Sequence, residues 1–246
     1  MSEIVLIRHA QASFEAADYD RLSPRGEVQA AKLGAWMAAR GARPAAIVTG
    51  TLRRHAQTAT LCAAAAGCAD APLRVLPGLD ELDSDELIAR HRPELAAREA
   101  LLAELARAAD PRRAFQALFA GAVARWTSGA ADADYALAWP AFRANVHAAW
   151  EAIVRDGGER GAAGRAAAGR AAGGGETWVV SSGGPIAVIV AALVGADPAR
   201  TFDFAWPLVN TSVSRIRGGR RGALLVTYNA WPHLDAAADA ALVTHR

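Results

Sequence analysis

The chain has 246 residues, of which 52% are apolar and 21% charged, with a formal net charge of +2; these values predict a folded globular protein large enough for one α/β domain or for a core with an inserted cap. The small net charge and the lack of a dense Lys/Arg stripe argue against a nucleic-acid surface. No basic region precedes an apolar stretch at the start, and no window of about 18 apolar residues occurs, so neither a signal peptide nor a membrane span is expected and a cytoplasmic location is.

Taken in chain order, Ile4-Val5-Leu6-Ile7 reads as a buried strand ending in Arg8-His9. An Arg suits bidentate phosphate recognition, and a neutral His can attack phosphorus and carry a phosphoryl group. A strand that ends in two polar residues with no such role fits the dipeptide equally. A polar loop over residues 11–21 follows. A helix then opens with Ser23 as N-cap and Pro24 at its first position, and runs through Val28, Ala31, Leu33 and Met37 to a stop at Gly41. Residues 45–49 read as a second strand, and the next helix carries Arg53, Arg54, Thr58 and Leu61. Residues 73–76 form a third strand before Pro77-Gly78. Cys62 and Cys68 have the spacing of neither a redox pair nor a zinc knuckle and read as small buried thiols.

Residues 83–156 are helix-rich, cut by Pro93, Pro111 and Pro140, and read as a helical cap inserted over the sheet. Residues 157–175 are nearly all Gly, Ala and Arg and read as a flexible surface loop. Order is expected again at Thr177-Trp178-Val179-Val180, then a Ser181-Ser182-Gly183-Gly184-Pro185 turn and an apolar helix over 186–193, whose N-terminus is a ready anion site. Two more strands, 212–216 and 223–228, flank Gly218-Gly219 and predict an antiparallel hairpin at one sheet edge. Strands alternating with helices predict a doubly wound, mostly parallel α/β sheet with helices on both faces.

Four separated segments together resemble the histidine phosphatase superfamily, also called phosphoglycerate-mutase-like. They are Leu6-Ile7-Arg8-His9-Ala10, the helix start running from Leu22 through Gly26 to Gln29-Ala30, Leu52-Arg53-Arg54-His55-Ala56-Gln57-Thr58-Ala59, and Val179-Val180-Ser181-Ser182-Gly183-Gly184. The closing pieces Asn210-Thr211-Ser212-Val213 and 229–234 also fit. The resemblance covers 4 to about 80 and about 177 to 234, and it implies a single domain over the whole chain with its site at the carboxyl edge of the sheet.

By this resemblance His9 is the nucleophile that becomes phosphohistidine, and Arg8 and Arg54 clamp the phosphoryl oxygens, with Gln11, Ser182 and Gly183 beside them as further phosphate-binding residues. Glu81 is the expected proton donor, among Asp80, Asp83, Asp85 and Glu86. Neither a metal nor another cofactor is implied. The implied activity is hydrolysis of a small phosphorylated substrate by a phosphomonoesterase; partners beyond that substrate are none, except that a homodimer is compatible with the sequence. His55, His91, His147, His233 and His245 are isolated in sequence and read as surface or cap residues. Trp126, Trp139, Phe142 and Trp150 read as helix-packing core rather than a ligand cage.

The sequence departs from the family pattern in two places. Ser182 stands where the pattern carries a second histidine, and Ala10 replaces a glycine. A serine donates one hydrogen bond but brings no charge, so a catalytically weak or inactive phosphate-binding protein is the alternative reading. A phosphoglycerate mutase fits less well, because the longer mutase signature after the first histidine is missing from 11–15.

Overall fold

The computed structural model describes residues 3–13, 20–168, 175–219 and 222–245. Six strands among them form one mixed sheet: β1 (Glu3–Arg8), β2 (Pro44–Thr49), β3 (Leu73–Val75), β4 (Glu176–Ser181), β5 (Val213–Gly219) and β6 (Gly222–Ala230), in the order β3-β2-β4-β1-β5-β6. β1, β2, β3 and β4 run parallel, while β5 pairs antiparallel with β1 and the edge strand β6 antiparallel with β5. This is the predicted α/β sheet with its antiparallel edge. The tip of the β5–β6 hairpin, 220–221, lies outside the described residues, as do 14–19 of the loop expected over 11–21.

The sheet explains the continuous apolar run in β1. Val5 and Ile7 face a layer built from Leu33 and Met37 of helix α1 (Pro24–Ala39) and Ala59, Cys62 and Ala63 of helix α2 (Arg53–Ala65). Ile4 and Leu6 point the other way and are equally buried. Helix α7 (Gly183–Val194) is apolar all round, is buried from Gly183 to Ala191, and packs against β1 and β6. α1 starts as expected: Ser23 accepts the Gly26 N–H and Pro24 occupies the first turn; the chain leaves it through Gly41 in the left-handed conformation. Both cysteines are free and buried, and burial pushes the Cys62 thiol up to about 12.

The chain divides into two compact units, 1–81 with 145–246, and 82–144. The smaller one contains α3 (Ser84–His91), α4 (Arg98–Ala106), α5 (Pro111–Thr127) and the first residues of α6 (Trp139–Ala168). Its centre is aromatic: the Trp126 ring lies 5.1 Å from Trp139 and 5.3 Å from Phe142, and the Trp126 indole N–H donates to the Leu137 carbonyl. Pro111 and Pro140 sit in the first turns of α5 and α6, where a missing N–H is harmless.

The helix-rich stretch was expected over 83–156, whereas the compact helical unit spans 82–144. The loop expected over 157–175 is also corrected in part. α6 continues to Ala168, because Ala and Arg favour helix strongly enough to carry it past Gly157 and Gly158. Residues 169–174 lie outside the described residues. No described helix is long and apolar enough to cross a membrane.

The α1–α2 contact depends on one glycine. A Cβ on Gly34 would strike the Cys62 carbonyl oxygen and come within 2.7 Å of Ala65 Cβ. Alanine in place of glycine gains about 1 kcal/mol of helix propensity, but forcing two packed helices apart costs about 1–3 kcal/mol. Gly34→Ala is therefore expected to lower stability to chemical denaturation, with the propensity gain offsetting only part of the loss. A more stable variant would show that the helices do not meet at this point.

Candidate active site

Three parallel strand ends bring the distant motifs to one place. β1 and β4 pair in the register Arg8 with Ser181, and β2 flanks β4 with Thr49 opposite Val180. The residues just beyond these ends are His9, Ser182 and the start of α2. Ligand crevices of open α/β sheets form at such carboxyl ends.

The backbone after β1 is held with unusual completeness. The Arg8 N–H donates to the Ser212 carbonyl, and the Arg8 carbonyl accepts from the Thr211 N–H. The His9 N–H donates to the Ser181 carbonyl, while the Asn210 side-chain amide donates to the His9 carbonyl. The Ala10 N–H donates to Thr58 Oγ1, whose own hydroxyl donates to the Arg54 carbonyl. The Gln11 N–H donates to Gln29 Oε1, and the Gln11 carbonyl accepts from the Ser23 N–H. The eighth group, the Ala10 carbonyl, accepts from His9 Nδ1–H at 2.7 Å.

That last bond fixes the chemistry of His9. With its proton on Nδ1, the imidazole keeps a lone pair on Nε2. His9 is buried, and its pKa lies well below the ordinary histidine value. Burial is the main cause, followed by the Arg54 and Arg8 guanidinium groups. Both cations therefore act on this ring. Arg54 is itself buried at the start of α2, and its Nη1 donates to Asp20 Oδ1 at 2.7 Å. Asp20 also accepts from the Arg53 N–H, closing the N-terminus of α2. Arg8 donates to the Leu208 carbonyl and, at 3.0 Å, to the His245 carbonyl.

The other expected residues divide. Glu81 lies at the N-terminus of α7, where its carboxylate accepts from the Gly184 N–H at 3.1 Å and 3.3 Å. Gly183 is beside it, a Cβ there lying 3.7 Å from Glu81 Oε2. The Gln11 side chain, in contrast, accepts from the Ser23 hydroxyl, so its recorded bond serves the loop and the α1 start. The acids near Glu81 have structural tasks. Asp80 accepts from both the N–H and the hydroxyl of Thr51, and Asp83 caps α3. No group of three or more His, Cys, Asp or Glu side chains that could hold a metal comes together among the described residues.

Two histidines expected at the surface or in a cap are buried instead. His233 accepts or donates at Nε2 with Thr211 Oγ1, 2.8 Å away, and burial, then Lys32, pushes it down to about 4. His55 is fully buried: its ring centre is 5.6 Å from that of His9, and its Nε2 is 2.7 Å from Ser182 Oγ. Burial, then Arg54, pushes His55 down to about 3. Isolation in sequence hid its position. The signal was its place one residue after Arg54, on the face of α2 that also carries Thr58, Ala59 and Cys62. Asp20 was missed as well, since nothing in a polar loop marks which acid folds back onto a helix start.

The sequence matches the histidine phosphatase superfamily (branch 1) over residues 4–133 and 121–230. No curated protein matches it as a relative. Several solved structures share the fold. A phosphoglycerate mutase from Bacillus anthracis str. Sterne superposes with a TM-score of 0.62 at 16% identity, covering 94% of this chain and 94% of that one. The alpha-ribazole phosphatase from Shigella flexneri gives 0.62 at 18% identity, over 93% and 96%. A phosphoserine phosphatase mutant from Entamoeba histolytica, in complex with phosphoserine, gives 0.58 at 14% identity, over 95% and 100%. With a family match spanning nearly the whole chain, and with its motifs tying down one turn after β1, this protein belongs to the histidine phosphatase superfamily.

Proposed function

We propose that the protein is a phosphomonoesterase that works through a phosphohistidine at His9. One observation carries the reading. His9 is a buried, neutral imidazole with its Nδ1 proton committed to the Ala10 carbonyl and its Nε2 lone pair unprotonated, under the influence of two guanidinium groups. The phosphatases of like fold support the reaction class.

In this proposal Nε2 attacks phosphorus and the bond to the leaving oxygen breaks. Glu81 supplies the proton that the leaving alkoxide takes. Water then attacks phosphorus and gives a proton back to Glu81 as the phosphorus–nitrogen bond breaks, which releases inorganic phosphate and restores His9. Arg8 and Arg54 offset the charge on the transferring oxygens. Gly183, beside Glu81 at the α7 start, adds a backbone donor near the same anion, and Gln11 shapes the loop beneath it. The helical unit 82–144 is proposed as the substrate-selecting insertion. The chemistry asks for no metal.

A second reading, a phosphate-binding protein with little turnover, is favoured by Ser182, which brings no charge to the position where the family pattern carries histidine. Loss of one preorganised donor lowers rate by about 10²–10³, which leaves a slow enzyme rather than none while His9 and both arginines remain.

The purified protein is expected to hydrolyse a generic aryl phosphate in the presence of EDTA, and His9→Ala to abolish this. Acid-quench labelling with phosphate-labelled substrate should trap an acid-labile phosphoryl group in the wild type alone. Equal turnover in His9→Ala would end the proposal; saturable phosphate binding with background turnover would establish the second reading. The pH profile supplies a further check. The reactive form of His9 is the neutral one, and its pKa is lowered. After correction for the substrate's own phosphate ionisation near about 6, kcat/KM is expected to hold its plateau through pH 6.5, where an unperturbed imidazole is about half protonated. An acid limb centred at the ordinary histidine value would contradict the buried, cation-flanked environment.

A further inference from the structure

We infer that His55 is the positioning residue for Ser182, holding its hydroxyl oxygen so that the hydroxyl proton is donated to the phosphoryl group that His9 receives. The inference rests on the phosphatase reading and adds a residue that neither the motifs nor their order assign. It starts from a juxtaposition: His55 Nε2 lies 2.7 Å from Ser182 Oγ, and the His55 ring lies 5.6 Å from His9. Both partners of the bond are fully buried.

The proton positions follow from what surrounds the ring. His55 Nδ1 has no hydrogen-bond partner among the described residues. It lies against Gly50, where a Cβ would come within 2.6 Å of it. The neighbouring Asp80 carboxylate, which approaches the same point, makes no hydrogen bond to Nδ1 and accepts instead from the N–H and hydroxyl of Thr51. A buried N–H without an acceptor is rarer and more costly than a bare lone pair. The neutral ring therefore carries its proton on Nε2 and donates it to Ser182 Oγ. The serine proton is then released to point elsewhere. Ser182 has no other recorded partner among the described residues, whereas the adjacent Ser181 hydroxyl is committed to the Leu79 carbonyl. A hydroxyl that accepts one hydrogen bond donates another more strongly. The imidazole on the Ser182 side of His9 thus comes from α2 rather than from the β4–α7 turn, and it acts through the serine as a neutral donor.

Two-bond proton–nitrogen NMR of uniformly labelled protein, with His55 assigned by its loss in His55→Gln, reads the tautomer directly. The expected result at pH 7 is a neutral Nε2–H ring whose signals move in Ser182→Ala. An Nδ1–H ring would overturn the inference, because Nε2 would then accept the serine proton and turn it away from the phosphoryl side. Kinetics on an aryl phosphate give the second arm. His55→Ala and Ser182→Ala are each expected to lower kcat by about a hundredfold with little change in KM, and the double variant to fall no further than the worse single variant. His55→Gln, whose amide N–H can reach the same oxygen, should recover most of the loss. Losses that multiply in the double variant, or a His55→Ala protein with wild-type kcat, would overturn the inference. Titration with inorganic phosphate separates this claim from the one it rests on. If wild type and His9→Ala turn over equally, the phosphatase reading fails. The tautomer still decides the hydrogen bond, and phosphate binding that is weakened equally by His55→Ala and Ser182→Ala still supports the shared donor, while binding unchanged by both overturns it.

Discussion

The site depends on one constraint: the four residues after the β1 core, Arg8 to Gln11, have every backbone N–H and C=O bonded to a named partner. Buried backbone groups must find partners, and here almost all come from far away in the chain. Ser181 arrives on β4, Thr58 on α2, Gln29 on α1, and Asn210, Thr211 and Ser212 just before β5. A turn held from so many directions cannot rotate His9 without breaking several bonds at once. The proposed nucleophilic role of His9 needs that rigidity, since a misplacement of about 1 Å can cost a large factor in rate.

The same constraint explains why separate short motifs can be read together. Thr58 of Leu-x-Arg-x-x-x-Thr-Ala and Gln29 of the α1 start are not loosely associated with the site. Each satisfies one N–H of the turn. Asn210 bridges the His9 carbonyl to the C-terminal segment through Thr244. Thr58, Gln29 and Asn210 are thus motif side chains that this one stretch of backbone requires, while Ser23, Ser181, Thr211 and Ser212 serve it through their own backbone groups.

What the sequence made legible is what has a local signature. The apolar run of β1, the Ser23-Pro24 helix start and the Gly41 stop each carry their own pattern and formed where they were read, while the β5–β6 hairpin formed with Gly218 and Gly219 paired inside the ladder, opposite Ala223 and Gly222, rather than between the strands. The order of strands brought Arg54, Glu81 and Ser182 to one sheet edge. Long-range pairings left no such trace. Asp20 on Arg54 and His55 on Ser182 join residues 34 positions apart in one case and 127 in the other. A lone histidine looks the same in sequence whether it ends in solvent or buried beside His9. Composition also misled in one segment: Gly, Ala and Arg over 157–168 could not bury a core, yet they needed only helix propensity to extend α6.

The electrostatics of the site follow from which interaction is weak. Burial and cations hold both His9 and His55 neutral, so the positive charge at this edge resides on the guanidinium groups. Arg54 is nearly enclosed, but its partner Asp20 is about one-third exposed. An ion pair with one arm in solvent contributes no more than about 1 kcal/mol. It can orient the guanidinium before anything binds, and a phosphoryl group carrying up to two negative charges and three acceptor oxygens can compete for it. Arg8 donates to the Leu208 and His245 carbonyls, bonds that tie its guanidinium to the segment before β5 and to the C-terminal residues. In the proposed reaction, a rigid backbone and neutral imidazoles leave the positive charge on guanidinium groups set in place before the anion arrives, which is the condition under which electrostatic stabilisation requires least reorganisation.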